Sequence, residues 1–181
     1  IYIKELFQNY ARFDKCFDPK ICWQERHYSR VIGRVTESKK RTNRELDNIG
    51  YLSFCPDCRW RKLEMVSQCE NCGGEVQTAG PLWTGKISDS RFTEKIVGKM
   101  PEEWEESREI VEMIDSEAEI LTPFYDLHEL CSSLKIQVPK REKVIEAIES
   151  KGYPVSRTHL SPNGFRTDAP IDDLKDLIKS V

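Results

Sequence analysis

Two Cys-x-x-Cys pairs constrain this chain more than any other feature. Residues 55–72 read CPDCRWRKLEMVSQCENC and hold four of the seven cysteines, Cys55, Cys58, Cys69 and Cys72. Each pair presents two sulfurs at the spacing that tetrahedral zinc requires, and turn-forming Pro, Asp, Asn and Gly residues fill or flank both pairs. We therefore predict a structural Zn²⁺ site on these four cysteines, with four unpaired thiols as the alternative.

The rest of the composition indicates a protein of a reducing compartment. The 181 residues are 38% hydrophobic and 33% charged, which suffices to bury one or two cores. No apolar run approaches the roughly 20 residues of a membrane span, and no signal-peptide pattern opens the chain. We expect a cytoplasmic protein without membrane contact, in which Cys16, Cys22 and Cys131 are small buried apolar residues. Because Ile1 already lies in an amphipathic helical pattern, we also expect a truncated beginning.

Charge is strongly segregated along the chain. Residues 26–62 carry ten Lys or Arg against four acids, whereas residues 86–120 carry eleven acids against five bases. The acidic stretch has apolar residues at helical spacing, which predicts helices with a solvated acidic face. The overall pI of 5.8 consequently says little about nucleic-acid binding, because the position of the bases decides it.

The basic stretch contains most of the candidate nucleic-acid contacts. HYSRVIGRV, residues 27–35, alternates as a strand does and puts Arg30 and Arg34 on one face. The following segment is predicted to be a basic loop with about one helical turn. It adds four candidates, Lys39, Lys40, Arg41 and Arg44.

The element pattern predicts an α+β fold in three parts. Residues 1–50 contain an opening helix, the basic strand and the basic loop, and residues 51–120 contain a zinc ribbon, a trailing strand and two helices separated at Pro101. Residues 121–181 read helix, short turn, helix and hairpin, which is typical of a winged-helix subdomain.

The predicted wing is the hairpin around SPNG, residues 161–164. An unbulged hairpin would pair Leu160 with Phe165, His159 with Arg166 and Arg157 with Asp168. That register would place Arg157, His159 and Arg166 together on one exposed basic face, available to nucleic acid. The alternative is a hairpin that only packs.

The sequence offers no catalytic or cofactor-binding residue that spacing alone would support. It contains neither a GxGxxG nor a GxxxxGK[ST] loop, and no Ser/His/Asp or paired-carboxylate arrangement stands out. We therefore assign no catalytic residue and no cofactor-binding residue.

Several motifs, in order, resemble one family. HYSRVIGRV, GYLSFCPDC, CENCGG, AGPLWTGKI, PFYDLHEL and SRTHLSPNGFRTDAP look like the carboxy-terminal half of the tRNA (guanine(26)-N(2))-dimethyltransferases. The resemblance implies a tRNA partner, with Arg30, Arg34, Arg157, His159 and Arg166 as tRNA-binding positions. It also implies an amino-terminal methyltransferase domain that binds S-adenosylmethionine. The Asp-Pro-Phe-Gly type motif of that domain does not occur here, so we expect the chain alone to be inactive.

Two other functions remain open from the residues. A zinc ribbon with a winged helix also suits a transcription regulator that reads duplex DNA with the helix at residues 139–151. The bases of that helix are offset by three glutamates, which predicts a weak footprint. The third possibility is a protein-docking subunit that uses the acidic helix and the wing.

Overall fold

The computed structural model describes residues 1–25 and 27–181 and is an α+β fold, as predicted. Arg26, one of the bases counted above, lies outside the described residues. The helices are α1 (Tyr2–Ala11), α2 (Lys39–Glu45), α3 (Ser90–Val97), α4 (Glu105–Ser116), α5 (Leu127–Leu134), α6 (Arg141–Ser150) and α7 (Ile171–Ser180). The strands are β1 (Lys15–Glu25), β2 (Tyr28–Glu37), β3 (Ile49–Phe54), β4 (Arg61–Lys62), β5 (Gln77–Trp83), β6 (Tyr125–Asp126), β7 (Val155–Arg157) and β8 (Gly164–Thr167).

A long antiparallel hairpin, β1–β2, forms the first sheet. It pairs from Lys15 opposite Glu37 to Glu25 opposite Tyr28, and its register shifts between Pro19 and Ile21. A shift is expected there because proline cannot donate a hydrogen bond to the ladder. The amphipathic helix α1, whose existence the apolar spacing predicts, packs against the base of this hairpin.

The second sheet has the order β4-β3-β5 and carries the cysteine ribbon between β3 and β5. Its residue Trp83 shares a core with Phe7, Cys16 and Phe17, so the first fifty residues are packed against this sheet. The division of the chain at residues 50 and 120 stays a prediction. Cys16, Cys22 and Cys131 are all buried, as expected.

Helices α3 and α4 pack across the hairpin β1–β2, and Pro101 lies between them as predicted. Asp89 caps α3 by accepting a hydrogen bond from the backbone N–H of Phe92. The guanidinium of Arg108 donates to the carbonyl oxygens of Val97 and Met100, both at 3.1 Å, which joins the two helices.

The third sheet, β6-β8-β7, packs with α5, α6 and α7 around the largest core. The order of its elements from β6 to β8 is strand, helix, helix, strand, strand; its assignment as a winged helix stays a prediction. The predicted hairpin register is wrong. Arg157 pairs with Phe165 and Ser156 with Arg166, a shift of three residues from the predicted pairs. Because side chains alternate along a strand, an odd shift moves them to the opposite face.

Local capping and apolar spacing explain the other differences from the predicted elements. The predicted basic loop is a two-turn helix, α2, followed by a short 3-10 helix at Leu46–Asn48. Ser38 caps α2 through its hydroxyl, which accepts from the N–H of Arg41. Strand β1 and the terminal helix α7 are additions to the predicted elements. Helix α7 buries four apolar residues at helical spacing, Ile171, Leu174, Leu177 and Ile178. In the described part of the chain, no helix has the length and apolarity needed to cross a bilayer.

Candidate metal centre and basic surface

The four predicted cysteines meet in space. The Sγ atoms of Cys55, Cys58, Cys69 and Cys72 all lie within 4.8 Å of one another. Cys55 and Cys72 place their sulfurs 3.6 Å apart, and Cys58 and Cys69 place theirs 3.5 Å apart. Tetrahedral zinc with Zn–S bonds of about 2.3 Å separates its sulfurs by about 3.8 Å. The cluster therefore fits a four-thiolate metal site.

The two Cys-x-x-Cys turns have matching backbone hydrogen bonds. In the first turn, the N–H of Arg59 donates to the oxygen of Cys55, and the N–H of Cys55 donates to the oxygen of Trp60. In the second turn, the N–H of Gly73 donates to the oxygen of Cys69, and the N–H of Cys69 donates to the oxygen of Gly74. Gly73 and Gly74 thus occupy the positions of Arg59 and Trp60 in the first turn. Arg59 and Gly73 both have positive φ, 66° and 76°. This repeated conformation turns both pairs of sulfurs toward one point.

Backbone N–H groups around the cluster favour thiolate at Cys69. Burial opposes ionisation there, but the N–H groups of Cys72 and Asn71 and the neighbouring thiols outweigh it and lower the pKa of Cys69 to about 7. At Cys58 burial dominates and raises the pKa to about 12. A divalent cation would bind such a cluster with release of protons.

Two residues between the cysteine pairs attach the ribbon to the third sheet. Trp60 packs both against the cysteine cluster and against the large core around Phe165. The guanidinium of Arg61 lies 4.0 Å from the ring centroid of Tyr125 and donates to the carbonyl oxygen of Phe124. A metal that fixes the ribbon would thus also fix this contact.

The bases predicted on β2 and α2 are mostly exposed. Arg30 lies over the rings of Trp23 and Tyr28, at 5.3 and 5.4 Å from their centroids. Arg34, Lys39 and Lys40 are exposed. The two remaining candidates make ion pairs, Arg41 with Asp18 at 3.3 Å and Arg44 with its neighbour Glu45 at 2.9 Å.

Helix α3 adds two bases that sequence reasoning missed. Arg91 and Lys95 are exposed and border one groove together with Arg34. The groove has a volume of about 440 Å³, and its only acid among the described lining residues is Asp89, which is 2.5 Å from Lys20. The acidic net charge of the surrounding stretch obscures these two bases in the sequence. Arg91 and Lys95 are four residues apart on a predicted helix, and this spacing indicates that both lie on one face of it.

The hairpin β7–β8 does not present the predicted trio of basic residues. Arg157 is exposed, but the side chains of His159 and Arg166 are only 4% and 11% exposed. Both contact Glu117, just beyond α4: Nδ1 of His159 bonds Oε1, and Nε of Arg166 donates to Oε2 at 2.7 Å. The prediction of one exposed basic face is therefore wrong. The shifted register turns Arg166 toward α4 instead of toward solvent.

Glu117 is a buried carboxylate, and both of its oxygens bond to residues of this hairpin. Burial favours its neutral form, but the hydrogen bond from His159 and the charge of Arg166 prevail and lower its pKa. Arg166 also donates to the carbonyl oxygen of Thr122 at 3.2 Å. The three side chains thus tie the end of α4 to the third sheet.

A family model described as N2,N2-dimethylguanosine tRNA methyltransferase matches residues 1–179. Among curated relatives, the tRNA (guanine(26)-N(2))-dimethyltransferase of Methanosphaera stadtmanae is 39% identical over 165 residues, covering 86% of this chain and 42% of the relative. The enzyme of the same name from Methanothermobacter thermautotrophicus is 32% identical over 182 residues, covering 96% of this chain and 48% of the relative. The chain spans about half the length of the curated relatives it matches.

A solved structure has a similar fold. Trm1 from Pyrococcus horikoshii, in complex with S-adenosyl-L-methionine, superposes with a TM-score of 0.82 at 26% sequence identity. The match covers 98% of this chain and 47% of that chain. The similarity therefore extends over all three sheets described above.

Proposed function

The chain belongs to the N2,N2-dimethylguanosine tRNA methyltransferase family, and we propose that it is the carboxy-terminal, tRNA-binding half of an S-adenosylmethionine-dependent tRNA (guanine(26)-N(2))-dimethyltransferase. The tRNA-binding role is supported chiefly by the groove between Arg34, Arg91 and Lys95. These cations are exposed, and within the described residues no acid forms an ion pair with them. Cations arranged in this way neutralise phosphates and fix the position of an RNA backbone. Reduced cysteines and a tRNA substrate suit a cytoplasmic enzyme.

The strand arrangement supports the assignment to the carboxy-terminal half. Each strand pair in residues 1–25 and 27–181 is antiparallel, whereas a Rossmann-like donor site is built at the ends of parallel strands. The chain also covers less than half of the Pyrococcus horikoshii protein that binds S-adenosylmethionine. In this proposal an amino-terminal methyltransferase domain binds the methyl donor and the guanine, and this chain holds the tRNA.

Zinc is the metal that we propose for the cysteine cluster. Four thiolates in a closed tetrahedral arrangement are typical of structural zinc, and they leave no open position for a reacting ligand. Its role in this proposal is to fix the ribbon between β3 and β5, a segment whose own buried apolar contacts are few. We assign the metal no step in methyl transfer.

Neutralising the basic groove should weaken tRNA binding. We expect the triple variant Arg34→Ala, Arg91→Ala, Lys95→Ala to bind tRNA about tenfold more weakly at moderate salt. The slope of log affinity against log salt should fall by about one unit for each phosphate that the variant no longer neutralises. Fluorescence anisotropy with labelled tRNA over a salt series measures both. Arg157→Ala tests the hairpin separately, because Arg157 is the exposed base there.

A matched control removes the same charge elsewhere. The triple variant Lys140→Ala, Lys143→Ala, Lys151→Ala neutralises three bases in and beside α6. It should leave tRNA affinity within about twofold of wild type, since the salt dependence arises from contacted phosphates and not from net charge alone. Tighter binding to duplex DNA than to tRNA, lost in this α6 variant, would instead identify a DNA-binding regulator.

The chain alone should bind no S-adenosylmethionine and methylate no tRNA. Methyl transfer needs a bound donor, a pocket for the base and a group that takes the proton, which this proposal assigns to the amino-terminal domain. Titration calorimetry with S-adenosylmethionine tests the binding, with the full-length Pyrococcus horikoshii protein as the positive control. Saturable micromolar binding by these 181 residues would place the donor site here and contradict the proposal.

A further inference from the structure

A second groove, lined by aromatic side chains, adjoins the basic groove. This aromatic groove lies between the β1–β2 hairpin and helices α3 and α4, and its volume is about 390 Å³. Small-ligand sites in proteins occupy ~300–1,000 Å³. Its floor is a buried apolar cluster of Ile21, Val111 and Ile114. The groove therefore has the size and the apolar floor of a site for a small group.

Aromatic rings line both sides of this groove. Trp23 and Tyr28 contribute from the hairpin, and Trp104, which is 55% exposed, contributes from the segment before α4. Aromatic rings prefer to stack on other flat π systems, and every nucleobase has such a face. The lining therefore suits a flat unsaturated group.

The charge in the aromatic groove is positive. Arg30 is the only charged residue among the described lining residues, and it is exposed. Its guanidinium lies 5.3 Å from the ring centroid of Trp23 and 5.4 Å from that of Tyr28. Rings combined with an arginine are typical of sites for unpaired nucleotides, where the base stacks and the cation contacts the phosphate.

The aromatic groove continues into the basic groove. Ile32 lines both grooves. Because side chains alternate along a strand, Tyr28, Arg30, Ile32 and Arg34 share one face of β2. An RNA strand whose phosphates contact Arg34 would therefore reach the aromatic groove along the same face of the hairpin.

We propose that the aromatic groove holds one unpaired nucleobase of the bound tRNA. The base stacks on Trp104 and on the rings of the hairpin, and its phosphate contacts Arg30. This inference rests on the proposed tRNA-binding function and adds a site for a base to the phosphate contacts of the basic groove. The base is not the guanine that receives the methyl group, which the proposed function assigns to the amino-terminal domain.

The acidic residues of α4 lie outside the groove. Ser107, Ile110, Val111 and Ile114 line it, which is the spacing of one side of a helix. The exposed glutamates of α4 fall on the other sides, and none is among the described lining residues: Glu105, Glu106, Glu109 and Glu112. A nucleobase is uncharged and is not repelled by them, and its phosphate lies at Arg30, on the hairpin side.

Substitutions of Trp104 test the stacking. Trp104→Leu keeps an apolar side chain but removes the π face, so it should bind tRNA about tenfold more weakly. Trp104→Phe keeps a ring and should stay within about threefold of wild type. In both variants the slope of log affinity against log salt should be unchanged, because no phosphate contact is lost. Fluorescence anisotropy with labelled tRNA measures affinity and slope.

A matched control removes an aromatic ring elsewhere. Phe13 is 72% exposed and does not line the groove, so Phe13→Leu should leave tRNA affinity unchanged. Circular dichroism verifies that each variant is folded.

Two short RNA probes test the base directly. One is a single strand of six adenosines, and the other is a strand of six ribose phosphates without bases. Wild type should bind the adenosine strand at least about tenfold more tightly than the abasic strand. Trp104→Leu should weaken binding of the adenosine strand alone, whereas Arg30→Ala should weaken binding of both, because it removes a phosphate contact.

The outcomes separate this inference from the proposed function. Equal binding of the two strands by wild type, or unchanged tRNA affinity in Trp104→Leu, would overturn the base site. The tRNA-binding function would still stand if the Arg34, Arg91, Lys95 variant lost affinity. No salt-dependent binding of tRNA by wild type would overturn both. A groove that docks a protein would tolerate Leu as well as Phe at position 104 and would not distinguish the two strands, which would also overturn the base site.

Discussion

Removing one thiolate from the cysteine cluster is expected to abolish metal binding and unfold the ribbon. Wild type should contain about one equivalent of zinc per chain, and Cys58→Ser close to none. Because zinc binding by a segment without its own core is folding free energy, the ribbon should lose about 5 kcal/mol or more. Elemental analysis measures the metal, and hydrogen exchange by mass spectrometry measures the opening of residues 51–83.

The contacts of Trp60 and Arg61 determine how far the loss spreads. The third sheet has its own core of buried residues, including Phe165 and Leu174, so it should stay folded when the ribbon opens. Exchange should rise slightly at Phe124 and Tyr125, which Arg61 contacts. We therefore expect the ribbon to open first and the third sheet later.

Cys131→Ser is the control for the metal experiment. Cys131 is fully buried in the large core and lies outside the cysteine cluster. This variant should keep its zinc even though the buried hydroxyl lowers overall stability. A wild-type protein that is folded without zinc, and in which the four clustered cysteines form two disulfides, would contradict the zinc assignment.

The metal site could be predicted from sequence because its ligands are local. Two turns of four residues, separated by ten residues, bring all four sulfurs together with little help from the rest of the fold. The helices α1, α3 and α4 could also be predicted, because the apolar spacing and the flanking residues that indicate each helix lie within its own segment. Their existence follows from the sequence without knowledge of the tertiary contacts.

The hairpin register could not be predicted because a longer loop replaces the expected tight turn. Residues 158–163 close through side-chain hydrogen bonds: the hydroxyl of Thr158 accepts from the N–H of Leu160, and that of Ser161 accepts from the N–H of Asn163. The composition of SPNG predicts that these four residues are the turn itself, but Gly164 already begins β8. This displacement of the strand ends turns Arg166 inward.

The partner of Arg166 could not be predicted either, because it is distant in sequence. Glu117 is 49 residues from Arg166 and 42 residues from His159. In sequence it is one of nine acids in a stretch that reads as a solvated helix face. The environment of a single member of such a run is decided by tertiary packing, which charge patterning does not report.

We expect substitution of the buried Glu117 to lower the free energy of unfolding more than substitution of any other single buried charged residue that the structure describes. In Glu117→Gln the amide keeps the shape, but the charge of Arg166 stays buried without its carboxylate. Removing one partner of a buried ion pair costs about 3–5 kcal/mol. For a chain of this size the thermal midpoint should fall by roughly 10 °C, which differential scanning calorimetry measures.

The dependence on pH follows from the direction of the pKa shift at Glu117. The folded-state pKa of Glu117 is lower than its unfolded value. The ionised carboxylate therefore contributes its full stabilisation of the fold above the unfolded pKa, and this stabilisation is lost as pH falls through the folded pKa. The difference in stability between wild type and Glu117→Gln should therefore be constant near neutral pH and shrink on acidification below about pH 4.

Glu119→Gln is the matched control, two residues along the chain. Glu119 is 66% exposed and pairs with Lys86 on the surface, so its loss should change stability by less than about 1 kcal/mol. Equal and small effects of the two substitutions would mean that Glu117 does not hold the hairpin in solution. A large loss confined to Glu117→Gln, diminishing in acid, identifies the Glu117–Arg166–His159 contact as the link between α4 and the third sheet.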